Sequence, residues 1–193
     1  MKRFCVLFFL FLFFCPDTKA LLYKGAESYD VRQLQQGLYR AGYYGGVWDG
    51  KYTEQVCEAV KAYQRDRGLY PDGICTYAVA RSLDVNIKYN KKDEDAVKIA
   101  RLLCKVCRNG DRLTKAAVAS VVLNRLDSPL FPDDITSVIS TLGGAFPCDI
   151  PEDCMRAAYE ALHGVKPYGN ILYFGKAGNG VKGARHGGFV FYK

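Results

Sequence analysis

Trp48 and Tyr52 flank an Asp49-Gly50 turn, and aromatic faces in that setting can cover the apolar C–H face of a sugar while their polar edges stay wet. Tyr39, Tyr43, Tyr44, Tyr63, Tyr70 and Tyr77 crowd the same region. Tyr43 and Tyr63 read as core, so only part of the cluster can serve as a platform for sugar or peptide. A second reactive group follows residue 20, where the cysteines are Cys57, Cys75, Cys104, Cys107, Cys148 and Cys154. An even set of this kind predicts disulfides if the chain is exported, with about 15 possible connectivities. Cys57 with Cys75 is the first pairing expected. Cys104 and Cys107 share a helix face, so each reaches Cys148 or Cys154 more easily than the other. These thiols have the ligand number for zinc without a zinc-site spacing, and neither a metal nor a cofactor is expected. Asp111, Glu160, His163 and His186 are the scattered acid–base groups of the second half. His163 suits a helix C-terminus, and His186 beside Gly187-Gly188 reads as an exposed loop residue.

The elements that must position these residues fall into two segments. Val31, Leu34, Leu38 and Ala41 recur at helical spacing before a Gly42 to Gly46 break, and a second helix runs from Thr53 through Val56, Val60 and Tyr63 to Gly68. Asp49-Gly50-Lys51-Tyr52-Thr53 is echoed by Asp72-Gly73-Ile74-Cys75-Thr76, a short internal repeat in which a turn precedes a helix cap. Helices this short bury their apolar faces only against one another, so a three-helix module is predicted. A polar stretch over 85–95 reads as a linker merging into a helix start. Beyond it, Ala96 to Cys107 is helical in spacing, and Ala116 to Arg125 is apolar nearly all round and therefore buried. Short helices follow near Val138-Ile139 and over Cys154–His163, and the tail predicts two strands, at Asn170–Phe174 and Gly188–Tyr192.

The chain has 193 residues with 49% hydrophobic and 24% charged, which excludes a fully disordered or collagen-like protein. The formal charge of +7 fits an anionic partner in general. Met1-Lys2-Arg3 followed by the apolar run Phe4 to Phe14 reads as a secretory signal peptide over 1–20. As a helix that run spans about 16 Å at roughly 1.5 Å per residue, about half a bilayer core, so no permanent membrane span is expected.

Lys24-Gly25, Asp30-Val31, Leu34-Gln35, Gly42-Tyr43, Asp49-Gly50-Lys51-Tyr52, Tyr63-Gln64, Gly68-Leu69 and Asp72-Gly73-Ile74 resemble the peptidoglycan-binding domain found on many bacterial wall hydrolases. Ala100-Arg101, Arg108, the run Ala117 to Arg125, Ser128-Pro129, Phe131-Pro132, Gly144-Ala145-Phe146, Leu172-Tyr173-Phe174 and Phe191-Tyr192 resemble the catalytic domain of the spore cortex-lytic, cell-wall hydrolase family, whose members are muramidase-like lytic transglycosylases. The resemblance implies a mostly α protein: a three-helix peptidoglycan-binding module over 21–84, a linker over 85–95, and a lysozyme-like α+β hydrolase module over 96–193. It also implies peptidoglycan rather than nucleic acid as partner, and an exported, wall-associated or cortex-associated protein. On the first module Trp48 and Tyr52, and on the second Arg108, Asn124, Arg125 and Phe146, are the expected glycan-binding positions, with Asn124 and Arg125 reading equally as structural residues.

In that family the first Glu of a Gly-Glu-Ala-Arg-Gly-Glu stretch protonates the leaving sugar oxygen and then acts as base. Aligned backwards from Asn124-Arg125 without a gap, the stretch falls on Lys105 to Gly110, which puts Val106 in the place of the acid. Removing a general acid costs about 10²–10⁴-fold. Two readings follow: a peptidoglycan binder with a degenerate catalytic module, or a working lytic transglycosylase with a relocated carboxylate, Asp111 or Glu160. A disulfide-framed interaction module unrelated to wall glycan is a third.

Overall fold

The computed structural model describes residues 21–145, 149–177 and 182–193. The leader-like stretch, Phe146 and Cys148 lie outside these described residues.

Three helices form the first half: α1 (Tyr29–Arg40), α2 (Glu54–Asp66) and α3 (Tyr77–Ser82). Each begins where a short polar side chain meets an apolar period. Ser28 accepts from the Val31 amide and Thr76 from that of Val79, while Thr53 precedes α2 without a side-chain cap bond. The inward faces, Val31, Leu34 and Leu38 of α1 with Val56, Val60 and Tyr63 of α2, close over Val79, Ala80 and Leu83 in one core. Val85 and Ile87 belong to that core as well, so the polar stretch expected as a linker starts as packed chain.

The second half opens with α4 (Lys91–Cys107), whose N-cap Asn90 accepts from the Lys92 amide. It continues with α5 (Arg112–Leu126), α6 (Ile135–Thr141) and α7 (Glu152–Leu162). Helix α5 is apolar all round because it is enclosed by α4, α6, α7 and the sheet. The sheet has three antiparallel strands, β1 (Tyr173–Lys176), β2 (Ala184–His186) and β3 (Phe189–Tyr192), in the order β1-β3-β2. Two strands were expected. The strand missed, β2, joins β3 by the two-residue loop Gly187-Gly188, with φ of +55° and +79°, and His186 faces Phe189 across it. Such a glycine pair is the sequence signal of a tight hairpin, but β2 itself is a short run of Ala, Arg and His with no apolar alternation.

The two halves share packing. Leu21 and Ile74 sit in the core of the second half, whereas the adjoining Leu22 and Cys75 sit in that of the first and pair through an isolated bridge. Arg101 on α4 donates to Asp72 at 2.5 Å, and Lys61 on α2 lies 3.4 Å from Asp149. Among the described residues no helix is long and apolar enough to cross a membrane.

Candidate functional site

Val106 lies on the last turn of α4, partly buried against the core of the second half. Around it the polar side chains are held by backbone. Lys105 Nζ donates to the Gly143 carbonyl, and Arg108, exposed just past the helix, donates through Nη1 to the Asp149 carbonyl at 3.1 Å. Asp111 and Glu160, the two carboxylates expected as alternatives for an acid, are also engaged. Asp111 is the N-cap of α5: Oδ1 accepts from the Thr114 amide at 2.8 Å, and Oδ2 accepts from His186 Nε2 at 2.7 Å. Those bonds, the Thr114 amide first, hold its carboxyl below the usual carboxylate range. Glu160 takes both donor edges of Arg112, at 3.1 and 2.9 Å.

The expected glycan positions are placed very differently. Trp48 is 39% exposed and meets Tyr39 edge to face with ring centroids 5.3 Å apart, an aromatic corner open to solvent. Tyr52 is 2% exposed, and its hydroxyl donates to the Gly73 carbonyl. It is a core residue that spans the two halves of the repeat, and the platform role does not fit it. Asn124 and Arg125 are equally structural. Asn124 Nδ2 donates to the carbonyls of Gly169 and Ile171, both at 2.8 Å. Arg125 donates to the Leu172 carbonyl and the Thr141 hydroxyl, with its guanidinium over the rings of Phe131 and Tyr173. Helix α5 uses these two polar residues to hold the chain entering β1. Arg108 remains at the surface, where it borders a cleft of about 290 Å³ between the halves; Lys24, Glu54, Lys61, Asp149 and Glu152 line it too.

The disulfides expected from the cysteine count are not formed among the described residues. Cys57 and Cys75 each turn the thiol to a backbone carbonyl, of Gly73 and Thr76, at 3.8 Å. Burial pushes the Cys57 and Cys75 thiols up and that of Cys107 to about 12. Cys154 moves the other way, pulled down by a hydrogen bond with Cys104 and by nearby Lys115. Lys115 itself is buried and paired with Asp153. This ion pair joins α5 to α7, and no hydrophobic-pattern argument would have found a lysine inside α5. Among the described residues no group of three metal-ligating side chains is assembled.

Comparison with known proteins places both halves. The family model for a peptidoglycan binding domain matches residues 27–83, and the Cell Wall Hydrolase model matches residues 109–192, beginning after Val106. A spore cortex-lytic enzyme of Bacillus cereus is 24% identical over 81% of this chain and 77% of its own length. An N-acetylmuramoyl-L-alanine amidase of Mycobacterium tuberculosis is 44% identical over 31% of this chain and 15% of its own. Among solved structures, the catalytic domain of the Bacillus cereus SleB protein is similar with a TM-score of 0.45 and 23% identity, over 55% of this chain and 93% of that one. With the peptidoglycan binding domain matched over 27–83, the cell wall hydrolase domain over 109–192 and cortex-lytic relatives aligned over most of the chain, the chain belongs to the spore cortex-lytic, cell wall hydrolase family and carries an N-terminal peptidoglycan-binding domain.

Proposed function

We propose that the protein is exported and held at the cell wall or spore cortex as a peptidoglycan binder, with a hydrolase module that grips glycan strands and leaves them whole. The reading rests on Val106, an aliphatic side chain on the last turn of α4, which the family resemblance sets in the place of the general acid. A valine neither gives nor takes a proton, and both steps of transglycosylation need that exchange. The engagement of the neighbouring carboxylates supports the reading further. Asp111, held as an anion by its helix cap and His186, is a poor proton donor, and Glu160 is committed to Arg112. Trp48 on the binding module and Arg108 beside the inter-module cleft are the glycan contacts this reading keeps. Phe146 completes that set on the strength of the family resemblance.

The test is incubation of the purified chain with peptidoglycan, followed by separation of the products. Co-sedimentation with sacculi, without 1,6-anhydro or reducing-end muropeptides, is the expected result. Release at a rate comparable to that of active relatives overturns it and establishes the alternative, a transglycosylase with a relocated carboxylate.

A further inference from the structure

The two halves of the internal repeat are built as the same hydrogen-bonded clasp. In the first, Gln35 Nε2 donates to Asp49 Oδ1 at 2.9 Å and to the Lys51 carbonyl at 3.2 Å. Gln35 Oε1 accepts from the Gly50 amide at 2.9 Å, and the Lys51 amide returns to Asp49 Oδ1 at 3.0 Å. In the second, Gln64 Nε2 donates to Asp72 Oδ1 at 2.8 Å and to the Ile74 carbonyl at 3.0 Å. Gln64 Oε1 accepts from the Gly73 amide at 2.9 Å, and the Ile74 amide returns to Asp72 Oδ1 at 3.0 Å. These four bonds correspond one for one; Gln35 Nε2 alone also reaches the Tyr44 hydroxyl, at 3.5 Å.

The clasps differ in the second carboxylate oxygen. Asp72 Oδ2 accepts from the guanidinium of Arg101, brought in by α4 of the hydrolase module. Asp49 Oδ2 has no hydrogen bond or ion pair among the described residues, and Asp49 borders an open groove of about 330 Å³ with Glu27, Tyr29, Arg32 and Lys51. One clasp therefore has its second carboxylate oxygen paired with the Arg101 guanidinium, and its duplicate turns that oxygen to an open groove.

We propose that the first clasp binds the free ammonium groups of peptidoglycan stem peptides through Asp49 Oδ2. The proposal rests on the peptidoglycan-binding reading and deepens it by assigning a peptide contact to a face otherwise read as a sugar platform. Donors from Gln35 and the Lys51 amide hold the Asp49 carboxyl below the usual carboxylate range, so it is an anion at neutral pH. A divalent metal is a poor match, since calcium takes 6–8 oxygens and one open carboxylate oxygen is far short of that. Arg32 and Lys51 on the same groove disfavour a simple polyamine, but they suit a ligand in which carboxylates flank the ammonium, as they do in a stem peptide. Exposed ion pairs are individually weak, and a polymer that repeats the group compensates by avidity.

The experiment measures co-sedimentation of the full chain with native sacculi and with sacculi whose amines have been acetylated. Acetylation is expected to weaken binding by about three- to tenfold, in line with loss of one exposed charge pair per contact. Asp49→Asn keeps the Oδ1 acceptor and removes the charge; with circular dichroism unchanged, it should bind native sacculi as weakly as the parent binds acetylated ones and be insensitive to acetylation. Equal binding of the parent to both preparations overturns the proposal, as does an Asp49→Asn variant that stays sensitive to acetylation. If the parent sediments with neither, the peptidoglycan reading fails by itself, and the clasp is judged by NMR titration with a soluble stem peptide. Asp49-dependent shifts of the Gly50 and Lys51 amides then support the cation site, and their absence overturns it.

Discussion

His186 Nε2 and Asp111 Oδ2 lie 2.7 Å apart, which clamps the β2–β3 hairpin to the N-terminus of α5 across 75 residues of sequence. The bond puts a titratable contact between the sheet and the central helix. Because the Asp111 carboxyl is held below its ordinary value, of about 3.9 in an unfolded chain, it contributes stability that is present above that value and lost as the pH falls through its folded-state pKa. Asp111→Asn keeps a good N-cap and removes only the charge. The variant should melt roughly 1–4 °C below the parent at pH 7, and the gap should close on acidification below about pH 4. Thermal melts from pH 7 to pH 2 measure this, and a gap that widens in acid contradicts it.

The hairpin loop offers a comparison of two adjoining glycines. A Cβ at Gly187 would come within 2.0 Å of Thr114 Oγ1, whereas one at Gly188 meets nothing within 4 Å, and both have positive φ. Gly188→Ala should cost about 1 kcal/mol, from backbone strain, and Gly187→Ala about 1–3 kcal/mol more, because Thr114 is fully buried and has nowhere to retreat. Urea denaturation of the two variants gives the difference directly.

Asn124 is placed to hold chain rather than glycan. Asn124→Ala strips the Gly169 and Ile171 carbonyls of their shared donor, at a cost of about 1–3 kcal/mol for the Ile171 carbonyl, which is left buried and unsatisfied, while that of exposed Gly169 can turn to water. Stability should fall while the affinity for sacculi of the fraction still folded is unchanged. Loss of sacculus binding at parental stability would return Asn124 to the ligand-contact set.

Arg101 and Asp72 make the corresponding test of the contact between modules. Asp72 is 5% exposed, so Arg101→Ala leaves a buried carboxylate with its clasp donors but without its counter-charge. The expected loss is about 1.5–3 kcal/mol, the range for a hydrogen bond to a charged group. A second change, Asp72→Asn, should recover part of it, and a double-mutant cycle in urea measures the coupling.

Val106→Glu tests the proposal that Val106 stands in the place of the family's acid. If the rest of the groove is intact, the variant should release 1,6-anhydro muropeptides at least about 10²-fold faster than the parent, the lower end of what a general acid supplies. Product chromatography on digested sacculi reads this out.

Helix periodicity, the Asp-Gly turns and the apolar α5 were legible because each is a local pattern that burial then satisfies. Val31, Leu34 and Leu38 recur at the helical period, and they are inside. The same local logic failed where a residue's fate depended on a distant partner. Tyr52 beside an exposed turn looks like a ligand platform until the second repeat brings the Gly73 carbonyl to its hydroxyl. Asn124 and Arg125 read equally as groove or as structural residues until the chain before β1 folds back onto them. Six cysteines suggest cross-links, yet Cys57 and Cys75 turn to separate carbonyls.

The order of residues determined by itself that the chain has two modules and that the first contains a duplicated turn-and-helix unit, because spacing and residue type are properties of the sequence. Which copy of the duplicated aspartate is covered was decided only by tertiary structure. Asp49 and Asp72 carry equivalent clasps, and α4 reaches one of them: packing of Leu21 and Ile74 into the hydrolase core draws Arg101 to Asp72 and leaves Asp49 facing water.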